Sequence, residues 1–390
     1  MSKIKITTLT SVHIGSGETL QFGSDFVRGK VGDDAFLSVV DPKKVLGLIG
    51  EDNVQRWVTA IEKRESTDKI VQQFAPNARL KDYSRRLISE WSTVKNTDTL
   101  KEHIHDGRGV PYIPGSSIKG AIRTAVLATL AENVRDAERK IDKTKRDSDG
   151  NPIPDKRGQI QLKANAQKVE AELFGFNSKM EGVDPNKDVF RFLQVGDAYF
   201  GENYEVAIRM VNINERERQS FWDESKSQLI EAIPPEEESE FQLKLNETGY
   251  NLSRDRVQMM PDCMKSLSAL FQIINNHTRN LLEGEIEYWQ ERQNDDDTDK
   301  VSLYIEKIQG ILEQTQSCEV EKECVLRIGH GSGWRFITGA WAEKLKNFDS
   351  VVVPASRPKN FKYEQFDFPK TRRVDDECEL LGFVKLSIVE

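Results

Sequence analysis

Most of the chemistry this sequence offers is held in three short glycine-rich segments. They are His13-Ile14-Gly15-Ser16-Gly17, Pro114-Gly115-Ser116-Ser117-Ile118-Lys119-Gly120 and Gly329-His330-Gly331-Ser332-Gly333-Trp334. Glycine lets a phosphate backbone approach closely, and successive free N–H groups form a nest for an anion. Serine hydroxyls add donors, and a helix N-terminus adds a dipole of the right sign. In the second segment Lys119 and Arg123 stand four residues apart on one helix face, spaced to neutralise one or two phosphates. A Gly-Ser turn before a helix is also a common plain cap, so each segment alone says little. None is a P-loop, because no GxxxxGK[ST] occurs. The third is not a nucleophile elbow, which would need glycine where His330 stands. Nor is it a dinucleotide fingerprint, since its last glycine falls one position early.

Acid–base and metal chemistry are thinly supplied. The chain has five histidines and no HExxH, and the sequence shows no histidine-rich cluster; His103 and His105 are two apart in a predicted loop. His13, beside a glycine turn, is read either as a general base for RNA cleavage or, more plainly, as a partly buried strand histidine or an RNA hydrogen-bond donor. Cys263, Cys318, Cys324 and Cys378 are scattered without CxxC spacing, which argues against a zinc site or a disulfide framework. Neither a cofactor nor a metal is implied.

The net charge of −8 looks unfavourable for a polyanion partner, but phosphate contacts are local and screened beyond about 10 Å. Distribution matters more. Residues 115–146 carry eight bases against four acids, and residues 354–373 six bases against two. Residues 283–299 carry eight acids and one base, which reads as a solvated helix end.

These groups must be positioned by elements that periodicity reveals. Ile4, Ile6, Thr8, Thr10, Val12 and Ile14 share one face at period two, a half-buried strand that Gly15-Ser16-Gly17 is expected to end. Strands near 25–31 and 35–40 flank a Gly/Asp turn, and Asp41-Pro42 opens a helix. Helices are expected over much of 43–105. Ser116 or Ser117 is the expected N-cap of the helix that carries Ile118, Ile122, Ala125 and Val126. Residues 136–160 read as an exposed, partly disordered insertion. Strands follow near 191–200, 204–213 and 240–247, helices over 261–292 and 299–316, a strand around 323–329, a helix from about 334 to 346, and a closing strand over 380–389. The pattern is α+β. No apolar run approaches the length of a membrane span, and the start lacks the apolar block of a signal peptide, so a cytoplasmic protein is expected.

Together, Val12-His13-Ile14-Gly15-Ser16-Gly17, Tyr112-Ile113-Pro114-Gly115-Ser116-Ser117-Ile118-Lys119-Gly120-Ala121-Ile122-Arg123, Leu173-Phe174-Gly175, Val195-Gly196-Asp197-Ala198 and the late glycine loop resemble the RAMP superfamily of CRISPR proteins. The length, the helical insertion and Pro369-Lys370-Thr371 after the late loop look most like the subunit that caps the guide 3′ end in type III-A (Csm) effector complexes. The resemblance implies two ferredoxin-like (RRM-like) units, placed here at 1–215 and 216–390 with a helical insertion at 261–316. It implies a non-catalytic chain that binds CRISPR RNA along its backbone and assists crRNA maturation in antiviral defence. The implied partners are the backbone RAMP subunit, the small helical subunit and a recruited nuclease. The alternative is a metal-independent RAMP endoribonuclease that processes CRISPR RNA with His13 as base.

The expected RNA-facing residues are His13, Gly15, Ser16, Gly17, Gly115, Ser116, Ser117, Lys119, Arg123, Gly331, Ser332, Gly333, Arg335, Lys370, Arg372 and Arg373. Backbone RAMP subunits cut target RNA with an aspartate in the loop after the first glycine turn, and Asp25 occupies a similar place here. Loop aspartates are usually turn formers, and Asp25 is read as one.

Overall fold

The computed structural model describes residues 2–175, 182–201, 205–213, 222–291, 298–356 and 372–389. Strand β1 (Ser2–Thr8) buries Ile4, Ile6 and Thr8, the alternation expected of it. The chain then bends and enters β2 (Gly15–Gln21), so the Gly-Ser-Gly segment begins a strand where it was expected to end one. The hairpin of β3 (Phe26–Val31) and β4 (Asp34–Val40) forms as read. Asp41 accepts from the N–H groups of Lys43 and Lys44 and caps α1 (Pro42–Ile49).

Helices α2 (Val54–Glu62) and α3 (Thr67–Phe74) follow, but the helical expectation fails beyond them. Residues there form β5 (Ser84–Glu90) and β6 (Thr99–His103). Their parallel partners lie near residues 206 and 229, far outside any local window.

Next come β7 (Tyr112–Ile113), α4 (Gly115–Ala131), α5 (Ala137–Ile141) and α6 (Gln167–Phe174). The charged stretch after α5 is exposed, as expected, and is held in two turns by the Asp147 and Asp155 carboxylates, which accept from backbone N–H groups. Strands β8 (Leu193–Val195), β9 (Ala198–Tyr199), β10 (Val206–Ile213), β11 (Trp222–Ala232) and β12 (Glu238–Leu245) precede α7 (Glu247–Ser253). Then come the long pair α8 (Leu267–Gln290) and α9 (Thr298–Ser317), and β13 (Glu323–Arg327). The expected helix at 334–346 breaks into short 3-10 turns around Gly339. Helix α10 (Val353–Ser356), β14 (Arg372–Asp375) and β15 (Phe383–Ile388) complete the described chain.

One sheet is antiparallel throughout, in the order β13-β15-β1-β12-β8. Helices α4, α6 and α8 cover it, with Ile4, Ile6, Ile118, Ile122, Phe174 and Phe271 in a shared core. A second runs β2-β6-β11-β10-β5-β4-β3, with β14 against β10, and β7 pairs with β9 in a small third sheet. The fold is α+β. The division expected at 215/216 falls between β10 and β11, which pair with each other, and both larger sheets take strands from either side of it. No helix among the described residues is long and apolar enough to cross a membrane.

Helix α4 begins two or three residues earlier than expected. Its N-cap position is Pro114, and Ser116 and Ser117 lie inside the first turn with no capping bond. The cap comes from a distance: the Asp197 carboxylate accepts from the Gly115 N–H at 2.7 Å. A Cβ at Gly115 would stand 2.7 Å from the Gly196 carbonyl oxygen and closer still to that of Val195. Two of the sequence blocks therefore exist to pack backbone on backbone. Gly115→Ala is expected to lower stability by about 1–3 kcal/mol, the usual cost of overpacking. Gly120→Ala, which meets nothing within 4 Å, should be neutral or add up to about 1 kcal/mol of stability. Urea unfolding of the two variants checks both.

Candidate nucleic-acid interface

The first and third glycine segments pack against each other. Gly329 approaches so closely that a Cβ there would lie 2.5 Å from the His13 carbonyl oxygen. The His330 N–H donates to that same oxygen at 2.9 Å. Gly329, Gly331 and Gly333 all adopt positive φ, which explains the repeated glycine. Just before the second segment, the Tyr112 carbonyl pairs with His103 Nε2 at 3.3 Å.

A row of histidines results that the sequence had not revealed. Ring centroids are 6.0 Å apart for His330 and His13, 6.1 Å for His13 and His103, and 6.0 Å for His103 and His105. This overturns the expectation that no histidine cluster exists. Only the histidine inside two of the glycine segments, and the period-two His103/His105 pair, hinted at it. Hydrogen bonds assign the tautomers. His13 Nδ1–H donates to the Glu231 carbonyl at 2.6 Å, leaving Nε2 as a lone pair. His103 Nδ1 accepts from the Ile14 N–H, so its Nε2 carries the proton. His330 Nε2 accepts from the Arg373 guanidinium at 2.8 Å. Burial lowers the pKa of His13, His103 and His330, the last to about 4 with Arg373 adding to the effect. His105 goes the other way. Burial opposes its charge, but the Glu205 carboxylate 2.7 Å away raises its pKa.

Beneath β2 lies a polar cleft of about 470 Å³ lined by Ser16, Arg85, Arg86, Glu102, His105 and Arg108, among others. Arg86 binds Glu231 with two nitrogens, at 2.7 and 2.8 Å, and Glu102 at 3.0 Å. Ser16 Oγ donates to Glu102 at 2.9 Å. Glu102, His105 and Glu231 bring their polar atoms within 4.8 Å of one another. The Arg86 guanidinium already bonds both carboxylates and neutralises much of their charge, so this is an ion-paired cage rather than a metal centre.

The expected phosphate contacts divide by whether a carboxylate already holds them. Arg123 is held: it pairs with Asp188 at 3.0 Å and Glu170 at 3.5 Å, and lies over the rings of Phe174 and Phe190. Arg335 pairs with Glu285 at 2.9 Å and Glu343 at 2.8 Å. Arg372 is 5% exposed and bonds Glu285 at 2.6 Å. In these three expected RNA-facing residues the guanidinium has already found a carboxylate inside the fold, as a group taken from water needs. Glu285, taken as part of a solvated acidic helix end, is the buried partner of two of them.

Arg373 differs. Its guanidinium reaches only Asn212 Oδ1 at 3.1 Å and His330, with no carboxylate among the described residues, and burial lowers its pKa. Lys101 makes no ion pair among the described residues, and its charge lowers the pKa of both His13 and His330. Lys119 is half-buried, and burial lowers its pKa with Asp188 opposing.

The remaining expected residues are scattered around this group. Gly15, Ser16, Gly17 and Ser116 are exposed, Ser117, Ser332 and Gly333 half-buried, and Gly331 buried against Met210 and Leu381. Gly115 is spent on packing. Lys370 lies outside the described residues. The Asp25 carboxylate accepts from the Gln21 N–H at 2.8 Å, the arrangement of a turn former.

The family model for the RAMP superfamily matches residues 5–336. Among solved structures, a chain in "Cryo-EM structure of Csm-crRNA-target RNA ternary complex in type III-A CRISPR-Cas system" aligns with a TM-score of 0.71 at 20% identity, covering 99% of this chain and 100% of that one. T. onnurineus Csm5 aligns with a TM-score of 0.65 at 20% identity, covering 97% and 99%. No curated protein sequence matches the chain.

Proposed function

This chain belongs to the RAMP superfamily, and from that premise we propose that it holds a guide RNA by its backbone as a non-catalytic subunit of a cytoplasmic type III-A (Csm) effector complex. It caps the guide 3′ end and assists crRNA maturation, with the backbone RAMP subunit and the small helical subunit as neighbours and a nuclease recruited to it. One observation carries the RNA reading. Arg373 and Lys101 converge on the glycine segments at 13–17 and 329–333 without a carboxylate partner among the described residues, as a phosphate site requires. Whole-chain likeness to a chain of a Csm–crRNA–target RNA complex and to Csm5 supports the subunit reading at the level of fold.

The histidine row favours a second reading, metal-independent RNA cleavage. His13 Nε2 offers a lone pair in a ring 6.0 Å from that of His330, with Lys101 nearby. One assay separates the two. A labelled guide RNA is titrated with the purified chain across a salt series without divalent metal, and the samples are run on a denaturing gel. Salt-sensitive binding with intact RNA is expected. Cleavage that disappears in His13→Ala would establish the nuclease and overturn the non-catalytic reading.

A further inference from the structure

The cage under β2 has more carboxylates than its cations can satisfy. Arg86 from β5 is engaged by Glu231 of β11 and Glu102 of β6. Glu205, 6% exposed, has one carboxylate oxygen on His105 Nε2 at 2.7 Å and stands 4.0 Å from Arg86 Nε. Its other oxygen is buried with no hydrogen-bond partner among the described residues. The groups facing the His105–Glu205 pair are thus Glu231, Arg86 and His103, with Glu102 on the same strand end. With both members of the pair protonated, the five-residue cage of Arg86, Glu102, His105, Glu205 and Glu231 is neutral. With both protons gone it carries two negative charges.

The cage is also tied to the glycine strand. Ser16 Oγ donates to Glu102, His13 donates to the Glu231 carbonyl, and the His103 N–H donates to the Glu231 carboxylate at 3.0 Å. We propose that guide binding is proton-linked: the cage takes up protons as the RNA backbone docks over β2, so the guide is held more tightly on the acidic side of neutrality. This rests on the guide-binding reading and adds a regulation of the same site.

The direction follows from charge. Burial, then repulsion from Glu231, pushes Glu205 up to about 7, and Glu205 raises His105 against burial. As pH rises through about 7 Glu205 loses its proton, and negative charge appears beneath a strand that must meet phosphates. A polyanion above the cage raises both pKa values further, so binding and proton uptake are reciprocal. Burial lowers the pKa values of His13, His103 and His330, moving their titration away from neutrality rather than toward it.

The test uses the full chain and a guide-length RNA without a terminal phosphate, at fixed ionic strength. Up to two charges acting through about 10 Å of screened, high-dielectric surroundings correspond to roughly a 2- to 4-fold loss of affinity between pH about 6 and about 8. Calorimetry in two buffers of different ionisation heat should show net proton uptake on binding. Glu205→Gln with His105→Asn should flatten the pH profile while keeping the salt slope. A flat wild-type profile, or no proton uptake, overturns the proposal whether or not the variant folds. An equally steep profile in the folded variant also overturns it. Absence of salt-sensitive RNA binding at every pH would instead overturn the guide-binding reading, and this inference with it.

Discussion

Glu285→Gln is expected to destabilise the protein by about 3–5 kcal/mol, the usual cost of removing one partner from a buried ion pair. Glu285 is 3% exposed and accepts from the Arg335 and Arg372 guanidinium groups, from the Trp289 indole N–H at 2.8 Å and from the Tyr304 hydroxyl at 3.2 Å. Glutamine keeps the volume and removes the charge that both desolvated guanidinium groups face, while Glu343 stays on Arg335. A loss of this size is a large share of a typical domain's stability. It should also reach the interface, because Arg335 follows the 329–333 loop and Arg372 precedes Arg373 on β14. Urea unfolding supplies the number. A midpoint change worth less than about 1 kcal/mol, the range of exposed pairs, would mean these charges are not desolvated.

Lys101→Ala with Arg373→Ala is expected to weaken guide binding about tenfold at about 0.15 M salt and to reduce the slope of log affinity against log salt by about 1.4. Each phosphate contact to a single strand contributes roughly 0.7 to that slope. The contrast is Arg123→Ala. Arg123 is paired with Asp188 and seated over Phe174 and Phe190, so its loss should lower stability and leave the slope unchanged. Measured together, the variants separate cations that hold the fold from cations that hold the ligand. A slope that falls with Arg123→Ala and not with the double variant would reverse the assignment.

How much was legible depended on how local each feature is. The alternation of β1, the β3–β4 hairpin and the Asp41-Pro42 helix start were readable because the residues that decide them are neighbours. So were the long helices α8 and α9, and the RAMP motifs themselves. Strands β5 and β6 were misread as helix, since what makes them strands is pairing with β4 and β2, 44 to 88 residues earlier, and with β10 and β11, more than 100 residues later. Ser116 and Ser117 looked like caps because a serine before an apolar helix usually is one, while the true capping group, Asp197, lies 82 residues from Gly115.

The interface divided in the same way. From its letters alone the sequence determined an α+β protein of the RAMP type, with three glycine segments suited to close approach by a phosphate backbone. It also placed bases near all but the first of them. Which of those bases remain available was decided only by the tertiary structure. Arg123 meets Asp188 across 65 residues, and Arg335 and Arg372 meet Glu285 across 50 and 87. Among the described residues Arg373, adjacent to Arg372 in sequence, is left with an asparagine and a histidine. Hydrophobic periodicity is written locally because a strand or helix repeats within a few residues. The partner of a buried charge is not, because a desolvated guanidinium takes whichever carboxylate the fold brings within about 3 Å, from any distance along the chain.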